Sequence, residues 1–190
     1  MDALPLVISS GWAAGVNAYA TVLLLGIFGR LGLGDVPDGL ESPGVMIAAG
    51  ALYAIEFVTD KIPYVDHVWD SIHTAIRPTI AAVLGVLLNG DAEGLGEALS
   101  AVGSGGTALA SHAVKAGLRA AVNISPDPVT TATASVTEDV LVGGVVALIL
   151  THPWVALAVS MTLLALGLLA LRWLWTRIRG RSAASSARSS

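Results

Sequence analysis

Residues 140–171 run for 32 positions without an aspartate, glutamate, lysine or arginine. One straight helix of that length would measure about 48 Å, against a bilayer core of about 30 Å. The interruption Thr151-His152-Pro153 divides the run, because a proline ends the helix before it and can open the next. The stretch therefore predicts two membrane helices, a fifth over residues 136–151 and a sixth over 154–175. Trp154 and Trp173 would lie about 28 Å apart on the sixth, at the two interfaces where indoles settle. A second charge-free run, residues 3–29, also exceeds the roughly 20 residues that span a bilayer. A cleaved signal peptide would start basic and have a shorter apolar core, whereas here the only early charge is Asp2. The run reads as one retained spanning helix.

Composition agrees. Hydrophobic residues make up 54% and charged residues 13%, with mean hydropathy +0.74, while soluble domains carry about 25% charged residues. A formal charge of −4 without a basic stripe gives no reason to expect nucleic acid. With no cysteine there is no disulfide framework, thiolate metal site or thiol nucleophile.

Between the two runs the helices are more polar. Residues 44–59 are apolar apart from Glu56, residues 78–89 follow Arg77, and residues 99–122 carry His112, Lys115 and Arg119 among Ala, Gly and Ser. They read as bundle helices whose polar faces are hidden from lipid. The expected fold is thus an all-α polytopic transmembrane bundle of about six spans. It forms one domain over residues 1–179, with a disordered Ser/Ala/Arg-rich cytoplasmic tail at 180–190. Turn chemistry places loops at 32–43, 89–95 and 123–133. Arg172, Arg177, Arg179 and Arg181 follow the last span, which puts the C-terminus in the cytoplasm. Six spans return the N-terminus there too. Lys61, Arg77, Lys115 and Arg119 then face inward and Asp35, Asp38, Glu41, Asp91, Glu93 and Glu97 outward, leaving Arg30 misplaced.

The densest constellation is residues 56–78, EFVTDKIPYVDHVWDSIHTAIRP. Glu56 and Asp60 share one face of the second helix, and Pro63 breaks it. Beyond the break Asp66, Asp70, His73 and Arg77 fall within about 60° of arc on a new helix. A lipid-facing charge at mid-membrane costs about 2.5–3.5 kcal/mol, so this stripe should face protein or a wet cavity. His112, Lys115, Arg119 and Asn123 form a second stripe of about 80°. Cations opposite carboxylates imply that the two helices meet, and Glu138 and Asp139 arriving at the same side leave the site net acidic. Ser10, Gly11 and Gly15 in the first helix, and Gly103, Ser104, Gly105 and Gly106 opening the fourth, read first as close helix packing. They are also the composition of broken helices that expose backbone to a substrate, with Asn17 and Tyr19 as polar lining, and they suggest two inverted three-helix halves. No His-x-x-x-His or Glu-x-x-His pair appears, so neither a metal nor another cofactor is expected.

Several segments together resemble the bacterial membrane-protein family known as domain of unknown function 4126. They are Ser10-Gly11 with Gly15-Val16-Asn17-Ala18-Tyr19, Asp60-Lys61-Ile62-Pro63, Ile76-Arg77-Pro78, Ser111-His112-Ala113-Val114-Lys115-Ala116-Gly117, Asn123-Ile124-Ser125-Pro126-Asp127-Pro128, and Glu138-Asp139 before Thr151-His152-Pro153. The resemblance implies a compact multi-span membrane protein and supplies no activity; the expected location is the bacterial inner membrane. Asp66-x-x-x-Asp70 with Thr74 and Arg77-Pro78 is also similar to the first aspartate motif of membrane aromatic prenyltransferases. That likeness implies magnesium and a prenyl pyrophosphate.

Three functions follow as expectations. The leading one is a small transporter or channel, in contact with the lipid bilayer, that handles an ion or small polar solute. The second is a structural or assembly subunit whose charges knit the bundle. The third is a magnesium-dependent enzyme acting on a lipid or prenyl pyrophosphate.

Overall fold

The structure is a computed structural model that describes residues 3–62, 64–90, 92–122 and 127–186. These residues form eight helices and no strand: α1 Ala3–Val16, α2 Ala18–Arg30, α3 Asp38–Glu41, α4 Pro43–Thr59, α5 Val65–Asn89, α6 Leu95–Val122, α7 Pro128–Thr151 and α8 Pro153–Ser186. Three stretches are long and apolar enough to cross a membrane: Val68–Asn89, Val129–Thr151 and Pro153–Arg177.

The caps explain most boundaries. Ser42 caps α4 ahead of Pro43, and Asp127 caps α7 ahead of Pro128, each accepting from the backbone three residues on. Thr151 ends α7, His152 leaves helical geometry, and Pro153 opens α8. Gly90 and Gly94 both take positive φ in the connection from α5 to α6, as the sequence loop at 89–95 anticipated.

Contacts between helices fix their directions. Leu6 near the start of α1 lines one cavity with Leu88, Asn89, Ile149 and, beyond α2, Val36. At the other end of α1, Gly15 O accepts from Arg77 and Val16 O from Lys115. So α1 runs parallel to α6 and antiparallel to α5 and α7. The chain then doubles back. Asn17 bonds Asp139 midway along α7, Leu24 reaches Gly143, and Gly34 lies against Leu150. Helices α1 and α2, about 21 and 20 Å long, therefore form a V that enters and leaves at the Gly90 end. The remaining long helices traverse the bundle alternately: α4 from Met46 beside Gly26 to Glu56 beside Arg77, and α8 from Ser160 beside Ser9 to Leu171 beside Gly117.

Close approach makes this packing feasible. A Cβ on Gly11 would collide with the backbone of Ser104, and one on Gly15 with Ser111 and the backbone of Ala108. Small residues thus seat α1 against α6. The dry core holds Leu6, Ala13, Ala14, Leu25, Leu84, Val142, Val146 and Ile149. Large apolar side chains cover the outside instead, among them Ile47, Val83, Val102, Val140 and Leu169. Apolar outside with polar groups within is the pattern of a helical membrane bundle.

Several sequence expectations change. The stretch 3–29 is not one spanning helix: Asn17, at φ −150° and ψ 101°, breaks it. The glycines at 103, 105 and 106 do not open a helix, since α6 begins at Leu95 and passes through them unbroken. Gly103 and Gly105 lie close to α1 and α5 while Gly106 meets nothing, so of the two broken helices expected only the first is present among the described residues. The third helix does not start at Pro78; α5 runs from Val65 straight through it. α7 starts at Pro128 rather than 136, because Asp127 and Pro128 supply a cap and first turn. α8 is assigned as far as Ser186, past the end expected at 175. The start of α1 and the end of α8 lie at opposite ends of the bundle.

Candidate functional site

Arg77 lies twelve residues from either end of α5, about 18 Å by helical rise, and its side chain is fully buried. Its Nη2 pairs with Glu56 Oε1 of α4 at 2.7 Å and with Asp70 Oδ1 at 3.1 Å. Nη1 donates to His112 Nδ1 at 2.7 Å, which leaves the proton of that neutral imidazole on Nε2, facing Thr74 Oγ1 at 3.1 Å. Lys115 follows toward the Asp127 end. Its Nζ pairs with Asp60 Oδ2 at 2.8 Å and Glu138 Oε2 at 3.4 Å, and Glu56 and Asp70 lie at 3.7 and 4.0 Å. Arg119 comes last. It grips Glu138 with two bonds of 3.1 and 2.8 Å, donates to Asp60 O at 3.0 Å, and faces Asp66 Oδ2 at 3.6 Å.

Three cations thus interlock with five carboxylates from α4, α5 and α7. The two stripes read from the sequence do meet. With every group ionised the ladder carries two net negative charges, and Asp139 adds a third. Glu56 Oε2, Asp60 Oδ1, Asp70 Oδ2 and Asp139 Oδ2 are buried without a hydrogen-bond partner.

The point of the V sits in this ladder. An α-helix leaves its last carbonyls unpaired and carries partial negative charge there. Here Trp12 O accepts from Ser111, Gly15 O from Arg77 and Val16 O from Lys115. The start of α2 carries the opposite partial charge. Asn17 Oδ1 accepts from Ala20 N at 2.9 Å, and its amide donates to Asp139 Oδ1 at 3.1 Å. Among the described residues no cation lies within 4.0 Å of Asp139. Tyr19, two residues past the break, bonds His73 Nε2 at 3.0 Å, while His73 Nδ1 donates to Trp69 O at 2.8 Å. The break therefore places Asn17 and Tyr19 on opposite sides of one charged centre.

Thirteen of the fourteen residues singled out from the sequence are brought together; Asn123 lies outside the described residues. Others were missed. Thr131 O accepts from Arg119, Ser135 accepts from Lys61, and Thr74 bridges His112 to Asp70 O. Hydroxyl residues have no signature in an apolar helix, so only periodicity against the carboxylate stripes could have flagged them.

The aspartate pair of the enzyme expectation is engaged by arginines, Asp66 with Arg119 and Asp70 with Arg77. No grouping of His, Asp or Glu among the described residues suits a metal ion.

No curated protein and no solved structure matches this chain. The model of one family, described as domain of unknown function (DUF4126), matches residues 4–173 with the whole charged ladder inside it. The chain belongs to that family.

Proposed function

We propose that the protein is a membrane transporter or channel for a cation, with the charged ladder as its inner half-path. One observation carries the reading: buried carboxylates outnumber buried cations where a helix breaks at mid-bundle. A low-dielectric interior that holds surplus carboxylate is stabilised by a proton or another cation taken up there, and broken helices at that depth are how transporters present backbone to a solute.

In this reading α4 to α8 cross the bilayer and the V is re-entrant, giving five crossings rather than six. The C-terminus stays cytoplasmic, with the basic residues near it, and the start of α1 faces outward. Opposite placement of the two ends supports this count. The membrane in this reading is the bacterial inner membrane.

The test is flux in proteoliposomes, with proton, sodium, potassium and small organic cations in turn. Transport of one of them that Asp139→Asn and Glu56→Gln each abolish, in protein that still folds, is the expected result. Equal flux in the wild type and both variants overturns the proposal. A structural-subunit reading is favoured by one fact, that Arg77 and Glu56 are entirely shut from solvent. It expects Asp60→Asn to lose folded yield while leaving no flux to lose.

A further inference from the structure

Two clefts meet at Glu138. The smaller, about 130 Å³, lies among α1, α6, α7 and α8, walled by Trp12, Val114, Leu141 and Leu163 with Lys115 and Glu138. The larger, about 490 Å³, lies between α6 and α7 and is lined by Thr130, Thr133 and Thr137 with Arg119. Leu118 and Glu138 line both. The two-bond Arg119–Glu138 pair joins a residue of the larger cleft to one that lines both.

The chemistry of the small cleft selects among ligands. At about 30 Å³ per water-sized group it admits on the order of four such groups. Its uncharged walls are aliphatic apart from the indole and Ser111, whose hydroxyl is turned to the Trp12 and Ala108 carbonyls. Of its two charged residues, Glu138 has 22% of its side chain exposed and Lys115 only 3%, the ammonium being turned into four carboxylates. An anion entering would meet surplus negative charge. A metal ion would give up tightly held water against leucine and valine. A compact alkylammonium does neither. Its methyl groups suit apolar walls, and its diffuse charge suits a carboxylate and an indole.

We propose that the small cleft binds a small organic cation of the quaternary or tertiary ammonium class. Glu138, shared with Arg119 and Lys115, is the carboxylate it approaches, the ladder's surplus negative charge is what it balances, and the Arg119–Glu138 pair is the barrier it passes from the larger cleft. The proposal names a substrate class for the transport reading above and rests on that reading for its purpose; binding itself does not depend on flux.

The chain contains no cysteine, so single cysteines report cleanly. Leu164→Cys marks the small cleft and Thr133→Cys the larger. Each is labelled with a trimethylammonium methanethiosulfonate, with and without tetramethylammonium. Tetramethylammonium should slow labelling at position 164 saturably and leave position 133 unchanged. The uncharged alcohol 3,3-dimethylbutan-1-ol should protect neither. Adding Glu138→Gln should weaken protection about tenfold or more, and Trp12→Leu by a smaller factor. Equal protection at both positions, equal protection by the alcohol, or no effect of Glu138→Gln overturns the proposal. Where a variant fails to fold or label, equilibrium dialysis of tetramethylammonium against the unmodified protein decides, and lack of saturable binding overturns it. Saturable binding without flux would leave the site standing and count against transport. Flux without binding would do the reverse.

Discussion

Replacing Lys115 with methionine keeps the length of the side chain and deletes its charge at the centre of the ladder. The ammonium now serves Asp60, Glu138, Glu56 and Asp70 within 4.0 Å and caps Val16 O at 3.1 Å. Without it Arg77 and Arg119 alone face five carboxylates, and the net charge of the ladder moves from two to three negative. Removing one member of a buried ionic network costs about 3–5 kcal/mol, since the partners are left charged and dry. For a chain of this size each kcal/mol moves the melting temperature by about 2–4 °C, so a fall of roughly 6–20 °C is expected. The assay is thermal unfolding in a mild detergent, followed by circular dichroism. Asp60→Asn in the same molecule restores the balance and should recover about 1–3 kcal/mol relative to additive single effects. A Lys115→Met protein that melts within about 2 °C of the parent, or shows no recovery with Asp60→Asn, would refute the interlocked ladder.

Gly15→Ala should cost more than about 2 kcal/mol, because its new methyl meets Ser111 and the Ala108 backbone. Gly106→Ala, with nothing within 4 Å, should melt with the parent. Asn17→Ala should cost about 1 kcal/mol through loss of the α2 cap and speed hydrogen exchange at the Ala20 amide, whereas Asn17→Ser should retain most of that protection. Asp127, exposed at the start of α7, has its carboxyl pulled below the usual aspartate range by bonds from the Thr130 hydroxyl and amide. Its contribution should be complete above the unfolded aspartate pKa of about 3.9 and fade as pH falls through the lower folded value. An Asp127→Ala protein should lose that segment of the melting-temperature profile against pH.

The charged centre was legible because side chains four and seven residues apart share a helix face in any environment. Asp66, Asp70, His73 and Arg77 were placed on one stripe, and His112, Lys115 and Arg119 on another, without knowing the neighbours. The V was not legible. Asn17 lies in an apolar run whose one proline, Pro5, stands at its start and far from the break, and hydropathy measures length and polarity, whereas the break is a change of φ and ψ at one residue. Its cue was an asparagine with an alanine amide three residues on, a weak capping pattern. The proposed count of five crossings departs from the expected six for a related reason. The basic residues orient each loop from Gly32 onward, and they are silent about a first segment that carries no charge between residues 3 and 29. Helix ends at Pro128 and Leu95 moved because caps and turn residues, which look like loop, were already the first turns of helices.

The core on the Gly90 side of Asp139 sets how the bilayer's electric field is shared. From Asp139 to Ile149 is ten residues of α7, about 15 Å, packed with Val142, Val145 and Val146 against Leu25 and Leu84, all closed to solvent. Voltage falls mainly across the driest layer, so the drop concentrates between the outer cavity and Asp139. On the cation path proposed above, a positive charge entering from the Asp127 end does little electrical work to reach the carboxylate. The outward step then carries nearly the full 2.3 kcal/mol per 100 mV, about the value for one elementary charge, and makes the valine–leucine layer the voltage-dependent stage of any passage.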